Sequence, residues 1–295
     1  MKAAFITTST DNCDPIVGGW SSFNETPAWV RYNEAAASPD DEHLVPFVLD
    51  ARPDVVFYIG AAHLPGNPRL ETLAEINRIA PSIHICFDGG DGPWWEPMKN
   101  MRDANCFERQ VNIDGAHCPT ADLTTLCPMD PRPYLKHRDI TKTRRGGFAG
   151  FAANTYRGGM VNPLVQQGLL ELRHRVAGYK NNDYNDGFVK FLCETTFTIN
   201  TAVTGTQWRR HVKGRIIEAG LAGCAVLEEI EAPTKNWFTP GRDYLPYSSV
   251  DEAIFLARNV SDAEFGRIAQ SMRAKIEDRY SAKAIYTKII EGLVG

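Results

Sequence analysis

Nowhere in the 295 residues is there an apolar run long enough to cross a bilayer. The opening "MKAAFITTSTDNCD" turns polar after Ile6, so it reads as a buried first strand and not as a signal peptide. The seven cysteines never take C-x-x-C spacing; their odd number and wide scatter argue against a disulfide framework and against a zinc site. The dinucleotide fingerprint G-x-G-x-x-G is missing. No sequence repeat relates one half of the chain to the other. An excess of one charge is missing too. A net charge of -4 gives no global attraction to nucleic acid or an anionic membrane, although a local basic cluster can still hold phosphate. What is left, 43% hydrophobic and 23% charged, has the balance of a globular protein, with the cytoplasm as the expected compartment.

What is present is alternation. "KAAFITT", "DVVFYIG", "SIHICFD" and "RQVNID" have strand character, separated by a Gly-Gly loop and by the helix-like "ETPAWVRYNEAAA" and "LETLAEINRIA". The pattern breaks at "CPMDPRPYLKHRDITKTRR", whose prolines and charges read as a linker. It then restarts: "GGFAGFA" as a strand and loop, "NPLVQQGLLELR" as a helix, "HRVAGY" as a strand, "NDGFVKFLCE" as a helix, "TFTINTA" as a strand, then a helix leading into "CAVLEE". The tail is helical, with Ser261 as a cap. The fold class expected from the alternation is α/β, in two halves of similar size. The expected boundaries are 1–135, 136–280 and a last helix, 281–295.

Several residues stand where such a fold binds ligands, at strand ends and helix starts. In "TINTAVTGTQWRRHVKGRIIEAG", Arg209, Arg210, His211, Lys213 and Arg215 crowd a helix start. Cations there oppose the helix dipole, which makes sense if an anion is shared with the free N–H groups. Glu218, a turn further in, suits a pair of sugar hydroxyls. A solvated basic face is the competing reading. In "RRGGFAGFAANTYRGG", Gly147 and Gly150 let backbone N–H groups approach a ligand closely. In "ICFDGGDGPWWEP", Asp88 lies at a strand's carboxyl edge beside Trp94 and Trp95, where a carboxylate can take a proton from a hydroxyl and an indole can carry a sugar ring. An Asx turn with two packing tryptophans is the alternative. His63, after "FYIGAA", holds the equivalent place one strand earlier and is the second candidate for the base.

From Phe148 onward the chain resembles the C-terminal half of GT-B glycosyltransferases, most of all the spore-coat-type CgeB-like group. Arg215, Glu218-Ala219, the small run Gly220 to Gly223, the turn Trp237-Phe238-Thr239-Pro240-Gly241 and the segment Tyr244 to Tyr247 carry the likeness. The resemblance implies two Rossmann-like domains facing across a cleft, with the last helix, 281–295, packing back on the first domain, and a metal-independent transferase of hexosyl type. Its second domain would hold a nucleotide-diphosphate sugar, with Glu218 on the ribose and Arg157 on the diphosphate; position at the helix start and strand end adds Lys213, Arg215, Arg210 and Gly150 to that site. The first domain would take the acceptor. Gly18-Gly19 resembles the glycine loop of that first domain. Many retaining relatives carry a glutamate where this chain has Arg210, which leaves the stereochemical course open. No D-x-D pair is present, so the expectation is no metal and no cofactor beyond the co-substrate. Polysaccharide, glycolipid, protein and modified nucleic acid all fit as acceptor, with the enzyme in the cytoplasm or peripherally at a membrane. An epimerase of the same fold, or a degenerate subunit that binds nucleotide sugar without turnover, are the rival readings.

Overall fold

The computed structural model describes residues 1–9, 13–60, 64–150, 152, 155–174, 183–203 and 209–293. The chain divides into two compact units, Met1–Asp130 with Ala282–Gly295, and Pro131–Ser281.

In the first unit, among the described residues, six parallel strands form one sheet. They are β1 (Ala3–Thr8), β2 (Ala28–Tyr32), β3 (Val55–Ile59), β4 (Ser82–Cys86), β5 (Arg109–Asn112) and β6 (Leu123–Thr124), in the order β2-β1-β3-β4-β5-β6. Every residue of β1, β3 and β4 is buried, which is why these strands read as unbroken apolar runs. Helices α1 (Asp14–Ser21), α2 (Leu44–Ala51), α3 (Leu70–Ile79) and α4 (Trp95–Asp103) connect them.

Two expectations fail in this unit. "AWVRY", expected within a helix, is β2. It lies at the sheet edge, paired in parallel with β1, and its alternate residues Trp29 and Arg31 are exposed. That half-exposed, aromatic and β-branched pattern favours a strand. The expected Gly-Gly loop is also absent: Gly18 and Gly19 lie inside α1. A Cβ on Gly19 would sit 2.0 Å from the Pro128 carbonyl oxygen, and one on Gly18 2.6 Å from Asp130 Oδ2. These glycines permit close packing of the helix against the segment 128–130.

The second unit opens with a short helix, α5 (Arg132–Leu135), inside the stretch expected to be a linker. Its sheet holds β7 (Arg144–Gly150), β8 (Glu171–His174), β9 (Thr195–Ile199), β10 (Ala225–Glu229) and β11 (Leu245–Tyr247), all parallel, in the order β11-β10-β9-β7-β8. "ELRH" is β8, so the strand starts before the expected "HRVAGY", of which residues 175–179 lie outside the described residues. The helices are α6 (Thr155–Gln166), α7 (Asp183–Cys193), α8 (Gly214–Ala222), α9 (Val250–Asn259) and α10 (Asp262–Arg279). Ser261 caps α10, its hydroxyl accepting from Glu264 N at 3.2 Å. The run of small residues in α8 serves helix packing. A Cβ on Gly220 would stand 2.3 Å from Ile276 Cδ1 of α10, so any side chain there would push α10 away.

The chain then returns to the first unit as α11 (Ala282–Ile290). Tyr286 packs edge-on against Phe5 and Trp20 and donates its hydroxyl to Ile16 O at 2.8 Å. Arg109 closes the end of this helix by donating to the carbonyls of Ile289 and Glu291. All seven cysteines are buried free thiols, and no helix among the described residues is long and apolar enough to span a membrane.

Candidate functional site

Numbered from its own first strand, each sheet runs second-first-third-fourth. In such doubly wound sheets the crevice opens beyond the carboxyl ends of the first and third strands, where the connections leave toward opposite faces. In the second unit these are β7 and β9.

The sequence candidates collect around that crevice. Gly150 ends β7 with φ +150°, and a Cβ there would lie 2.8 Å from a terminal nitrogen of Arg215. Arg157, in the first turn of α6, is half-buried and donates from Nε to Thr201 Oγ1 at 3.3 Å, so it bridges from the β7 side to the loop after β9. Burial pushes its pKa down from the usual value. Arg215 stacks on Phe148 of β7, 4.1 Å from the ring centroid, which holds the cation against the same strand. Lys213 is the residue before α8, extended at φ -66° and ψ 148°, so the first turn of the helix follows it directly. Glu218 is half-buried and lies on α8 one turn beyond Gly214, on the face these two share.

Arg210 differs from these. It donates from Nε to Glu229 at 3.3 Å and pairs through its NH1 nitrogen with Glu231 at 2.8 Å. Two carboxylates thus already neutralise the guanidinium that the sequence reading placed on the donor.

Beneath the crevice are two carboxylic acids that the sequence reading missed, the last residues of β10. Glu228 is fully buried and accepts from Asn200 Nδ2 at 2.8 Å, from Glu229 N at 2.9 Å and from Thr234 Oγ1 at 3.1 Å. Burial outweighs these donors and pushes its pKa up to about 8. Glu229, 4% exposed, accepts from Tyr156 Oη and from Ala202 N at 3.2 Å. Asn200 is pinned in turn: its amide donates to Leu227 O, and its carbonyl accepts from Tyr247 Oη at 2.6 Å. The available signal was the strand "CAVLEE", an apolar run that ends in two acids without a turn residue between.

In the first unit Asp88 lies two residues beyond β4 and is half-buried. Its carbonyl accepts from Asp91 N at 2.9 Å, and buried Asp91 leads into a 3-10 turn, Gly92–Trp94. Asp114, also buried, holds the adjoining loop by accepting from Gly90 N, Asn112 Nδ2 and Ala116 N. Trp95 donates its indole N–H to Gly89 O at 2.8 Å and packs on Cys86, Met98 and Cys118. Trp95 is therefore engaged in packing. His63 lies outside the described residues. Among the described residues no three His, Cys, Asp or Glu side chains gather as a metal-binding group.

Comparison with known proteins agrees with this geometry. Residues 157–291, just under half of the chain, match a family model described as glycosyl transferase-like. The whole chain superimposes on HepE of Anabaena crystallised with UDP, with TM-score 0.60 and 12% identity over 99% of each chain. The complex of the same protein with UDP-glucose gives 0.59 and 11%, again over 99% of each chain. A glycosyltransferase from Rickettsia africae gives 0.55 and 8% over 99% of each. No curated protein matches the sequence. At such identities the superpositions speak for the fold. The protein therefore has the GT-B fold, and it is residues 157–291 of that fold that resemble the glycosyl transferase-like family.

Proposed function

We propose that the protein transfers a sugar, a hexose in this reading, from a nucleoside-diphosphate sugar to an acceptor hydroxyl. The observation that carries the proposal is the bridge from Arg157 to Thr201 across the crevice between β7 and β9, with Arg215, Lys213 and the start of α8 beside it. Cations beside a helix N-terminus at such a place suit a diphosphate. They also supply what a leaving diphosphate needs, namely positive charge where negative charge develops. The reaction then runs without a metal ion or other cofactor. Glu218 holds the ribose hydroxyls, and Gly150 lets the backbone approach the donor. Asp88 takes the proton from the acceptor hydroxyl. HepE was crystallised with UDP and UDP-glucose, which makes a uridine donor the first to try.

The test is direct. A thermal-shift panel of UDP, GDP, dTDP and CMP sugars should raise the melting temperature with at least one member, because a ligand of the native state stabilises it. With that donor and a cell extract as the source of acceptor, the free nucleotide should be released at a rate that EDTA leaves unchanged. Release at the same rate without extract points to hydrolysis or epimerisation. Binding without release in any extract is the behaviour of a non-catalytic subunit.

A further inference from the structure

Glu229 is a buried carboxylate directly beneath a site assembled to attract anions. Its charge opposes any diphosphate bound there, so its presence calls for a reason. The hydrogen bonds supply one. Tyr156 Oη donates to Oε1, and Ala202 N and Arg210 Nε donate to Oε2. Those donors come from the first turn of α6, from the loop after β9 and from the segment before α8. Each is a close neighbour in sequence of a group facing the crevice. Tyr156 precedes Arg157, Ala202 follows Thr201, and Arg210 comes three residues before Lys213.

From this arrangement we infer that Glu229 is the positioning residue of the donor crevice. It touches no part of the nucleotide. It ties the three segments to the rigid end of β10, and so holds Arg157, Thr201 and Lys213 in register with one another before a ligand arrives. Bonds to a buried carboxylate are directional, and a buried acceptor that loses its donors is costly. The segments therefore stay fixed in the free protein, which removes an ordering cost from binding. Arg210 belongs to this clamp: with Glu231 at 2.8 Å on its other side, its charge is spent within the protein.

The inference rests on the donor site proposed above, and the sign of one substitution separates it from simpler roles. Glu229→Gln keeps the shape but removes the charge, and turns one acceptor into a donor that faces donors. Titration calorimetry on the full chain with UDP, GDP, dTDP, CDP and ADP measures the outcome. A positioning role predicts that the nucleoside diphosphate bound tightest by wild type loses about tenfold or more in affinity, while its parent nucleoside changes by about twofold or less. Tyr156→Phe removes one donor and leaves the carboxylate charged, and should weaken the diphosphate in the same direction by a smaller factor. It also carries the test if Glu229→Gln does not fold. Tighter diphosphate binding by Glu229→Gln would show that the carboxylate acts only as a counter-charge, and would overturn the inference. Unchanged affinity with a lowered melting temperature would overturn it in favour of a purely structural role. If wild type binds none of the five diphosphates, the donor site itself falls, and the inference falls with it.

Discussion

The two sheets share an order of strands yet carry their charged side chains at different strand ends. Beyond β4 and β5 of the first unit the side chains are acidic: Asp88, Asp91 and Asp114. Beyond β7 and β9 of the second they are Arg157, Lys213 and Arg215, with a helix start among them. The two places are not equivalent in the shared order: β7 and β9 are the first and third strands of their sheet, β4 and β5 the fourth and fifth of theirs, and the fourth strand of the second unit, β10, likewise ends in acids, Glu228 and Glu229. The buried acids differ as well. Asp114 gathers N–H donors within one pair of adjoining loops. Glu229 gathers them from elements that are distant in sequence. On the proposed reading the second unit's strand end takes the charged co-substrate and the first unit's carboxylate meets the acceptor.

The sharpest way to break this contrast is at Asp88. If the acidic end does chemistry, Asp88→Asn keeps donor affinity and loses turnover by about a hundred-fold or more, the usual effect of removing a general base. A rise in KM alongside the fall would instead give Asp88 a part in orienting the acceptor. Turnover near wild type, measured as nucleotide release in steady state, would leave the first unit's strand end as a turn and move the base to His63.

Next in size is the basic end. Arg157→Ala and Lys213→Ala each remove a cation beside the presumed diphosphate. A charged hydrogen bond contributes roughly 1.5–3 kcal/mol, so the nucleoside diphosphate should bind about ten- to a hundred-fold more weakly while the bare nucleoside is little affected. Calorimetry with the matched pair decides. Equal weakening of both would mean that Arg157 supports the fold through Thr201 and that the phosphate lies elsewhere.

The same contrast explains how much could be read in advance. In the second unit the strands β7, β9 and β10 and the helices α7 and α8 follow from apolar runs and small residues, whereas "NPLVQQGLLELR", expected as a helix, divides between the end of α6 and β8. These signals are local, and the fold uses them where they stand. The Glu228 and Glu229 contacts are not local. Their partners lie 28 and 73 residues away at Asn200 and Tyr156, so no spacing in the sequence announces them. In the first unit the failures come from competition between local signals. Gly18 and Gly19 have the composition of a loop, but the close approach of segment 128–130 needs them inside α1. "AWVRY" lies between helix-favouring neighbours, and only its pairing with β1 decides for a strand.

A smaller effect is expected at Glu218. Glu218→Ala removes an acceptor for ribose hydroxyls and should weaken both nucleoside and nucleoside diphosphate by about tenfold. Arg157 should discriminate between the two, and Glu218 should not. If Glu218→Ala leaves both affinities unchanged, the sugar of the nucleotide is held by other groups, and the shared face of α8 has a different use.

The smallest effect on turnover belongs to Glu228, although it changes stability in a way no other substitution here does. Its pKa rises from the ordinary value of 4.5 to about 8 in the folded protein, chiefly because it is cut off from water. The folded state therefore holds a proton that the unfolded chain releases above about pH 4.5. Stability from this source is complete below that pH, declines as pH rises toward 8, and is flat above it, with a limiting slope of roughly 1.4 kcal/mol per pH unit. Glu228→Gln mimics the protonated acid: it still accepts hydrogen bonds and never ionises. Denaturant titrations of both proteins from pH 4 to 9 should show the variant gaining on wild type between about pH 5 and 8 and running parallel to it beyond. Since Gln occupies the space of the acid, Asn200 stays in place, and turnover at pH 6 should remain within about twofold of wild type. Two stability curves that stay parallel throughout would mean that the carboxylate is ionised when buried, held by Asn200, Thr234 and the Glu229 amide. The buried acid beneath the basic end would then be charged, and its contrast with the N–H-bound Asp114 of the first unit would reduce to a difference of position.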